Sequence, residues 1–105
     1  MPKKTNKKSD IGVLDRDDRK VQKPKKYKVV MYNDDYTPMN FVIIILQTVF
    51  LKDFQTAKRL MLDVHEKGRG IAGVYSKEIA DTKCMKSIEI AKSAGYPFLV
   101  IAEPE

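Results

Sequence analysis

Hydrophobic and polar positions follow regular periods only in the part of the chain that begins at Tyr27. There, β-branched and aromatic residues fill short runs that are typical of strands, and apolar residues at intervals of three and four predict helices. Short polar residues and a proline mark helix starts, and glycines mark helix ends. The predicted elements, in chain order, are a strand over Tyr27–Tyr32, a helix from Pro38 to about Leu51 with Thr37 as its N-cap, a helix between the N-cap Asp53 and the C-terminal Gly68, a strand over Ile71–Tyr75, a helix between the cap Ser76 and Gly95, and a strand over Phe98–Ala102.

The element order β-α-α-β-α-β predicts an α+β fold. Three strands and three helices in so short a chain suit a two-layer sandwich, in which a three-stranded antiparallel sheet carries its helices on one face. We predict that this single domain covers residues 27–105. The third helix should pack on the sheet through an apolar stripe that consists of Ala80, Cys84, Ile88 and Ala91.

Residues 1–26 differ from the rest of the chain in composition. They contain few large apolar side chains and no sustained period, so burial cannot offset the entropy lost on folding. We therefore predict a disordered basic N-terminal extension. It holds ten Lys and Arg against four Asp, which accounts for the whole net charge of +6. The predicted domain is neutral, which argues against a basic nucleic-acid-binding face in spite of a pI of about 9.4.

Composition excludes several classes of protein. The sequence contains no run of 18 apolar residues, so it predicts no transmembrane helix. A single cysteine cannot form an internal disulfide and fits a reducing compartment. One cysteine and one histidine leave almost no ligand set for zinc, and we expect neither a metal nor a cofactor.

The loop after the first strand carries a cluster of hydrogen-bond acceptors. Asn33, Asp34 and Asp35 are adjacent at a strand end, where a rigid scaffold often positions binding groups. The cluster could be only a polar turn with Asx hydrogen bonds, or it could bind a cation or an amine. His65 in the second helix would add one more acceptor if it faced this loop, although a single helical histidine is more often structural.

The sequence offers two alternative functions, a hydrolase and a nucleic-acid-binding protein. Cys84 and His65 would form the nucleophilic dyad of a hydrolase only if the cysteine were exposed and activated, and its place in an apolar stripe argues against this. The basic extension would suit a nucleic-acid or ribosome-associated protein, whose RNA affinity would depend strongly on salt and vanish with the extension. The segment Gly68-Arg69-Gly70 matches neither phosphate-binding glycine motif and is interpreted as a tight turn.

Three ordered blocks of the sequence resemble one protein family. They are NDDYTPM with the following FV pair within residues 33–42, the segment 60–83, and YPFLVIAE at residues 96–103. Together they resemble ClpS, the adaptor of the bacterial and plastid Clp protease, over essentially all of residues 27–105. The resemblance implies an adaptor without enzymatic activity that recognises an N-degron, meaning a free N-terminus whose first residue is Leu, Phe, Tyr or Trp.

The resemblance also implies roles for individual residues. The residues that would receive the α-amino group of the substrate are Asn33, Asp34, Asp35 and His65, with Asp35 acting through a water. The residues that would line or flank the pocket for the hydrophobic side chain are Met31, Tyr32, Thr37, Met39, Val42, Met61, Val64 and Phe98. Met39 would exclude β-branched first residues. Phe98, where the family commonly has leucine, would make the pocket shallower or favour smaller rings.

The implied partners are N-degron proteins and an AAA+ unfoldase, ClpA or ClpC. The N-terminal domain of that unfoldase would contact Glu78 and Lys83. ATP hydrolysis and peptide cleavage would belong to the partners, so the chain would be a monomer without catalytic residues, nucleic acid or membrane contact. The resemblance implies the bacterial cytosol rather than the plastid stroma. The extension would reach the pore of the unfoldase while the domain holds the substrate.

Overall fold

The computed structural model of the chain describes residues 23–105, so most of the predicted disordered extension lies outside the described residues. The elements are β1 (Lys26–Tyr32), α1 (Met39–Thr48), α2 (Phe54–Lys67), β2 (Arg69–Ser76), α3 (Lys77–Ala94) and β3 (Leu99–Pro104). Their order and the antiparallel three-stranded sheet confirm the predicted α+β fold. Within residues 23–105, no helix is long and apolar enough to cross a membrane.

The sheet has β1 at its centre, in the order β2-β1-β3, and all pairs are antiparallel. Lys26, which the sequence analysis assigned to the extension, belongs to β1 because it pairs with Ser76 of β2. The register with β2 shifts between Val29 and Val30, where β2 contains one extra residue. Since β1 has a hydrogen-bonded neighbour on each side, the loop after Tyr32 starts from a rigidly held position.

The helices enclose one apolar core against a single face of the sheet. Side chains of a strand alternate between faces, and Met31 of β1 points into this core, where it is 1% exposed. Of the predicted stripe of α3, Ala80, Cys84 and Ala91 are buried in the core and Ile88 packs against it. These contacts fix the positions of the helices relative to the sheet.

The start of α1 differs from the prediction at Thr37. Pro38, with φ −67° and ψ 148°, is the N-cap. Thr37 does not cap the helix, because its hydroxyl and its backbone N–H both donate to the carboxylate of Asp34, at 2.8 and 2.7 Å. Thr37 is therefore part of the loop and not of the helix.

The end of α1 also differs from the prediction, since the helix ends at Thr48. Leu51 has a φ of 56°, in the left-handed region that is unfavourable for a residue with a Cβ. The N–H of Lys52 donates to the carbonyl of Leu46 at 3.0 Å, which is one residue wider than the bond of the Schellman motif. Glycine is the residue that usually takes the left-handed position just after a helix. The Leu51 side chain is 78% exposed, so little packing offsets this strain.

Both ends of α2 follow the prediction. The Asp53 carboxylate accepts from the N–H of Thr56 at 2.8 Å, and this hydrogen bond lowers the pKa of Asp53 below its usual value. At the other end, Gly68 adopts a left-handed φ of 87°, and its N–H donates to the carbonyl of Val64. The position of this ending places His65 in the last turn of α2.

We predict that replacing Leu51 with glycine stabilises the protein. Glycine adopts the left-handed conformation without steric cost, and the leucine side chain has few contacts to lose. Leu51→Gly should raise the free energy of unfolding above that of the matched control Leu51→Ala by about 1 kcal/mol. Urea unfolding measures both variants, and a glycine variant no more stable than the alanine variant would contradict the interpretation.

Candidate functional site

The loop between β1 and α1 is organised around the carboxylate of Asp34. Its Oδ1 accepts from the backbone N–H groups of Tyr36 and Thr37, at 2.8 and 2.7 Å. Its Oδ2 accepts from the Thr37 hydroxyl at 2.8 Å. These are Asx hydrogen bonds of the kind that the sequence suggested for a polar turn. Both oxygens of Asp34 are thus engaged in maintaining the shape of the loop.

The environment of Asp34 favours its charged form. Burial alone would raise the pKa of this carboxyl, but the hydrogen bonds from the Thr37 and Tyr36 backbone and the Thr37 hydroxyl together outweigh burial. The net effect lowers the pKa of Asp34 below its usual value of 3.8. Hydrogen bonds to the charged form therefore contribute to the stability of the loop at neutral pH.

A backbone hydrogen bond ties this loop to α2. The N–H of Asn33 donates to the carbonyl of Gly68 at 2.9 Å. Gly68 ends α2, so the bond holds the loop beside the last turn of that helix, which carries Val64 and His65. Residues that are separated by half the domain in sequence are brought together in this way.

A cavity of about 350 Å³ opens between the loop, the first turn of α1 and the last turns of α2. We call it the loop–α2 cavity. Its lining residues are Asn33, Asp34, Asp35, Tyr36, Thr37, Pro38, Met39, Val42, Met61, Val64 and His65. The structure therefore brings together all the residues predicted to receive an amine and most of those predicted for the hydrophobic pocket.

The loop–α2 cavity has a polar side and an apolar side. Asn33, Asp35 and His65 form an exposed rim of acceptor-bearing side chains. Among the described residues, the Asp35 carboxylate has no hydrogen-bond partner, unlike that of Asp34. The apolar wall is formed by side chains that are at most 6% exposed, namely Val42, Met61 and Val64, together with Met39 at the mouth. A ligand with a cationic amine next to an apolar group would match both sides.

Three residues predicted for the pocket do not line this cavity. Met31 and Phe98 are 1% and 4% exposed and belong to the core. Tyr32 follows Met31 in β1 and faces the other side of the sheet, where its hydroxyl donates to a carboxylate oxygen of Glu103 at 2.6 Å. Phe98 is not among the lining residues, so the expected effect of its size on the depth of the cavity stays a prediction.

Two lining residues were not singled out as site residues from the sequence. Tyr36, which is 75% exposed, and Pro38 lie between Asp34 and the first turn of α1. Only their place within the NDDYTPM block could have indicated that these two residues belong to the site. Both residues lie on a loop that a rigid scaffold holds in place, where binding residues are often found.

A second concave surface of about 650 Å³ runs along α3, and we call it the α3 groove. Its lining residues are Thr48, Val49, Glu78, Ile79, Thr82, Lys83, Lys86, Glu89 and Ile90. It includes both residues predicted to contact an unfoldase. It shares no residue with the loop–α2 cavity.

Lys83 links the α3 groove to the end of α1. Its Nζ donates to the carbonyl of Val49 at 2.8 Å. The same Nζ lies over the rings of Phe50 and Tyr75, at 5.7 and 5.3 Å from their centroids. Lys83 thus contributes to packing within the chain, whereas Glu78 is exposed at the surface of the groove.

The environment of Cys84 does not support nucleophilic chemistry. Burial first, and the nearby charge of Asp81 second, raise the pKa of Cys84 to about 11. The side chain is 8% exposed and lies in the core, and it does not line the cavity that His65 lines. A cysteine that attacks a substrate needs a depressed pKa and access. Among residues 23–105, no group of three or more His, Cys, Asp or Glu could hold a metal ion.

We predict that the charge of Asp34 stabilises the fold at neutral pH and not in strong acid. Its folded-state pKa is depressed, so this stability is present above the unfolded-state pKa and is lost as the pH falls through the folded-state pKa. Asp34→Asn keeps the shape and removes the charge, and should cost about 1 kcal/mol at pH 7. The difference from the wild type should shrink below a pH of about 3.9. Denaturant unfolding at several pH values checks this, and a pH-independent difference would contradict it.

Comparison with known proteins gives a consistent result. The family described as "ATP-dependent Clp protease adaptor protein ClpS" matches residues 22–101. The chain is 50% identical over 95 residues to the ATP-dependent Clp protease adapter protein ClpS of Variovorax paradoxus (strain S110), a match that covers 90% of this chain and 80% of that protein. It is 46% identical over 96 residues to the protein of the same name from Burkholderia mallei (strain SAVP1), covering 91% of this chain and 92% of that protein.

A solved structure agrees with these sequence matches. The structure of Agrobacterium tumefaciens ClpS2 bound to L-phenylalaninamide is similar to this fold with a TM-score of 0.77 and 40% identity. The similarity covers 79% of this chain and all of that one. The order of the elements, the loop after β1 and the matched sequence thus agree: the chain belongs to the ClpS family of adaptor proteins of the ATP-dependent Clp protease.

Proposed function

We propose that the loop–α2 cavity binds the first residue of an N-degron protein, which the chain then delivers to a Clp unfoldase. The observation that carries this proposal is the adjacency of an acceptor rim and an apolar wall in one cavity of about 350 Å³. That volume is at the small end of ligand pockets and suits one amino-acid residue. The L-phenylalaninamide bound by the Agrobacterium relative has the two features that this cavity matches, a free α-amino group and a large apolar side chain.

The polar rim would distinguish an N-terminus from an internal residue. A free α-amino group is an ammonium with three donors at neutral pH, whereas an internal amide has one donor and no charge. Asn33 and His65 would accept hydrogen bonds from the ammonium, and Asp35 would supply a negative charge. Asp34 would act differently, because its oxygens already hold the loop.

The apolar wall would select a large hydrophobic first residue such as Leu, Phe, Tyr or Trp. Burying a Leu or Phe side chain contributes about 1.5–3 kcal/mol, and one charge-assisted hydrogen bond contributes a similar amount. A micromolar complex needs about 8 kcal/mol, so neither half of the cavity suffices alone. Both the amine and the side chain would be required, which is the basis of specificity for a protein N-terminus.

We further propose that the α3 groove binds the N-terminal domain of the unfoldase, ClpA or ClpC. Glu78 is exposed there, and Ile79 and Ile90, which are 50% and 41% exposed, give the groove apolar contact area. The groove and the cavity share no residue, so one monomeric chain could hold substrate and unfoldase together. In this scheme the chain is a cytosolic adaptor without catalytic activity, and unfolding and cleavage belong to its partners.

We predict that binding requires the free amine. A Leu-initiated peptide should bind at least about 100-fold more tightly than its N-acetylated form, because acetylation removes the charge and two or more charge-assisted hydrogen bonds. Asn33→Ala should weaken binding of the free peptide about tenfold. The matched control Asn40→Ala alters an exposed asparagine outside the cavity and should leave the affinity unchanged.

Isothermal titration calorimetry or fluorescence anisotropy measures these affinities. Equal binding of the free and acetylated peptides would refute recognition of the amine. Equal loss of affinity in Asn33→Ala and Asn40→Ala would show that the acceptor rim does not read the N-terminus.

We predict that the two surfaces can be separated by substitution. Glu78→Lys should weaken binding of the N-terminal domain of the unfoldase by about tenfold, since charge reversal at an interface introduces repulsion. The same variant should retain its affinity for the Leu-initiated peptide. Glu105→Lys makes the same charge change at an exposed position outside the groove and serves as the control. Unchanged binding of that domain by Glu78→Lys would count against the proposed interface.

A further inference from the structure

The methionines of the chain differ sharply in their access to solvent. Among the described residues, Met31 and Met61 are 1% and 6% exposed, whereas Met39 and Met85 are 46% and 61% exposed. Of the two exposed side chains, only Met39 lines the loop–α2 cavity. Met85 lies on α3 and lines neither the cavity nor the α3 groove. The binding cavity thus has one readily accessible thioether, at its mouth.

We propose that Met39 is an oxidation site through which peroxide weakens binding of the hydrophobic first residue. This inference rests on the proposed function of the cavity. The exposure of the thioether decides which methionine reacts, because surface methionines are the common targets of oxidation. Because Met39 forms part of the apolar wall, its oxidation should weaken binding of the hydrophobic first residue.

The reaction itself is simple. A lone pair of the Met39 sulfur attacks one oxygen of hydrogen peroxide, the O–O bond breaks, and the sulfur becomes a sulfoxide while water leaves. The sulfur is oxidised by two electrons and the peroxide is reduced by two. Methionine sulfoxide reductases reverse the change with electrons from a thiol, so the modification can be transient.

A sulfoxide at this position would be unfavourable for the proposed ligand. Met39 is the first residue of α1 and lines the cavity with Val42 and Met61, whose side chains are buried. A large apolar side chain that enters the cavity would cover the sulfoxide oxygen and remove its water without providing a donor. Burying a polar group without a partner carries a penalty, so the oxidised form should bind more weakly.

The same geometry implies that a bound ligand protects Met39. A side chain packed against the apolar wall would cover Met39, a residue that is 46% exposed in the free protein. Met85 would react at the same rate with and without ligand, because it lies outside the cavity. Protection of one methionine and not of the other is therefore a second, independent readout.

The experiment treats the full-length protein with hydrogen peroxide and assigns each oxidised methionine by peptide mass spectrometry. Met39 and Met85 should oxidise before Met31 and Met61, and a Leu-initiated peptide should protect Met39 alone. The oxidised protein should bind that peptide about tenfold more weakly, a ratio that corresponds to about 1.4 kcal/mol. Treatment with the two methionine sulfoxide reductases, one for each sulfoxide epimer, together with a thiol reductant should restore the affinity.

Two variants assign the effect to one residue. Met85→Leu should lose peptide affinity on peroxide treatment as the wild type does. Met39→Leu should have the same affinity before and after treatment, whatever its starting value. If Met39 is oxidised and the affinity does not change, or if Met39 resists oxidation while Met85 reacts, the inference is wrong and the proposed function stands. If the untreated protein does not bind the peptide, the proposed function fails, and the inference fails with it.

Discussion

The hydrogen bond from the N–H of Asn33 to the carbonyl of Gly68 is the contact on which the site depends. It holds the loop after β1 against the end of α2, and both partners have fixed positions. Asn33 directly follows the central strand, and Gly68 ends a helix whose buried face packs in the core. The loop–α2 cavity lies between these two rigid elements, and Asp34 keeps the intervening loop in shape. A binding site that is formed in advance loses less entropy when its ligand arrives.

Helix α1 connects the loop–α2 cavity and the α3 groove. Its first turn, at Met39 and Val42, lines the loop–α2 cavity, and its last turn, at Thr48, lines the α3 groove. A helix of 10 residues is about 15 Å long, so the two surfaces are neighbours without overlap. Lys83 attaches α3 to the end of α1 through the carbonyl of Val49. The same small core thus supports both the loop–α2 cavity and the larger α3 groove.

The sequence predicted those features that follow from local chemistry. The Asp53 cap, the left-handed Gly68 and the order of the elements depend on residue type and spacing, and the structure agrees with them. The sequence did not predict features that depend on competition between hydrogen-bond partners within the chain. Thr37 could have capped α1, but the Asp34 carboxylate takes its hydroxyl. Nothing in a leucine side chain indicates a positive φ. The backbone of Leu51 takes this conformation because of the way in which α1 ends.

In the candidate site, too, some residues could be predicted from the sequence and others could not. In the acceptor rim, Asn33 and Asp35 were singled out because they follow a strand end, and the role of His65 came from the resemblance to ClpS. The cavity contains all three. The apolar residues were harder to assign, because a side chain in a buried stripe can either line a cavity or fill the core. Met61 lines the cavity, whereas Met31 and Phe98 fill the core. Tyr32 was misassigned because the alternation of strand side chains turns it to the other face of the sheet, toward Glu103.

The most direct measurement is a crystal structure of the chain with a peptide that begins with leucine. We expect the α-amino nitrogen to lie within hydrogen-bond distance of the Asn33 and His65 side chains. We also expect the leucine side chain to contact Met39 and Met61 in the loop–α2 cavity. A peptide bound elsewhere, or bound in this cavity through an internal residue with its N-terminus in solvent, would contradict the account.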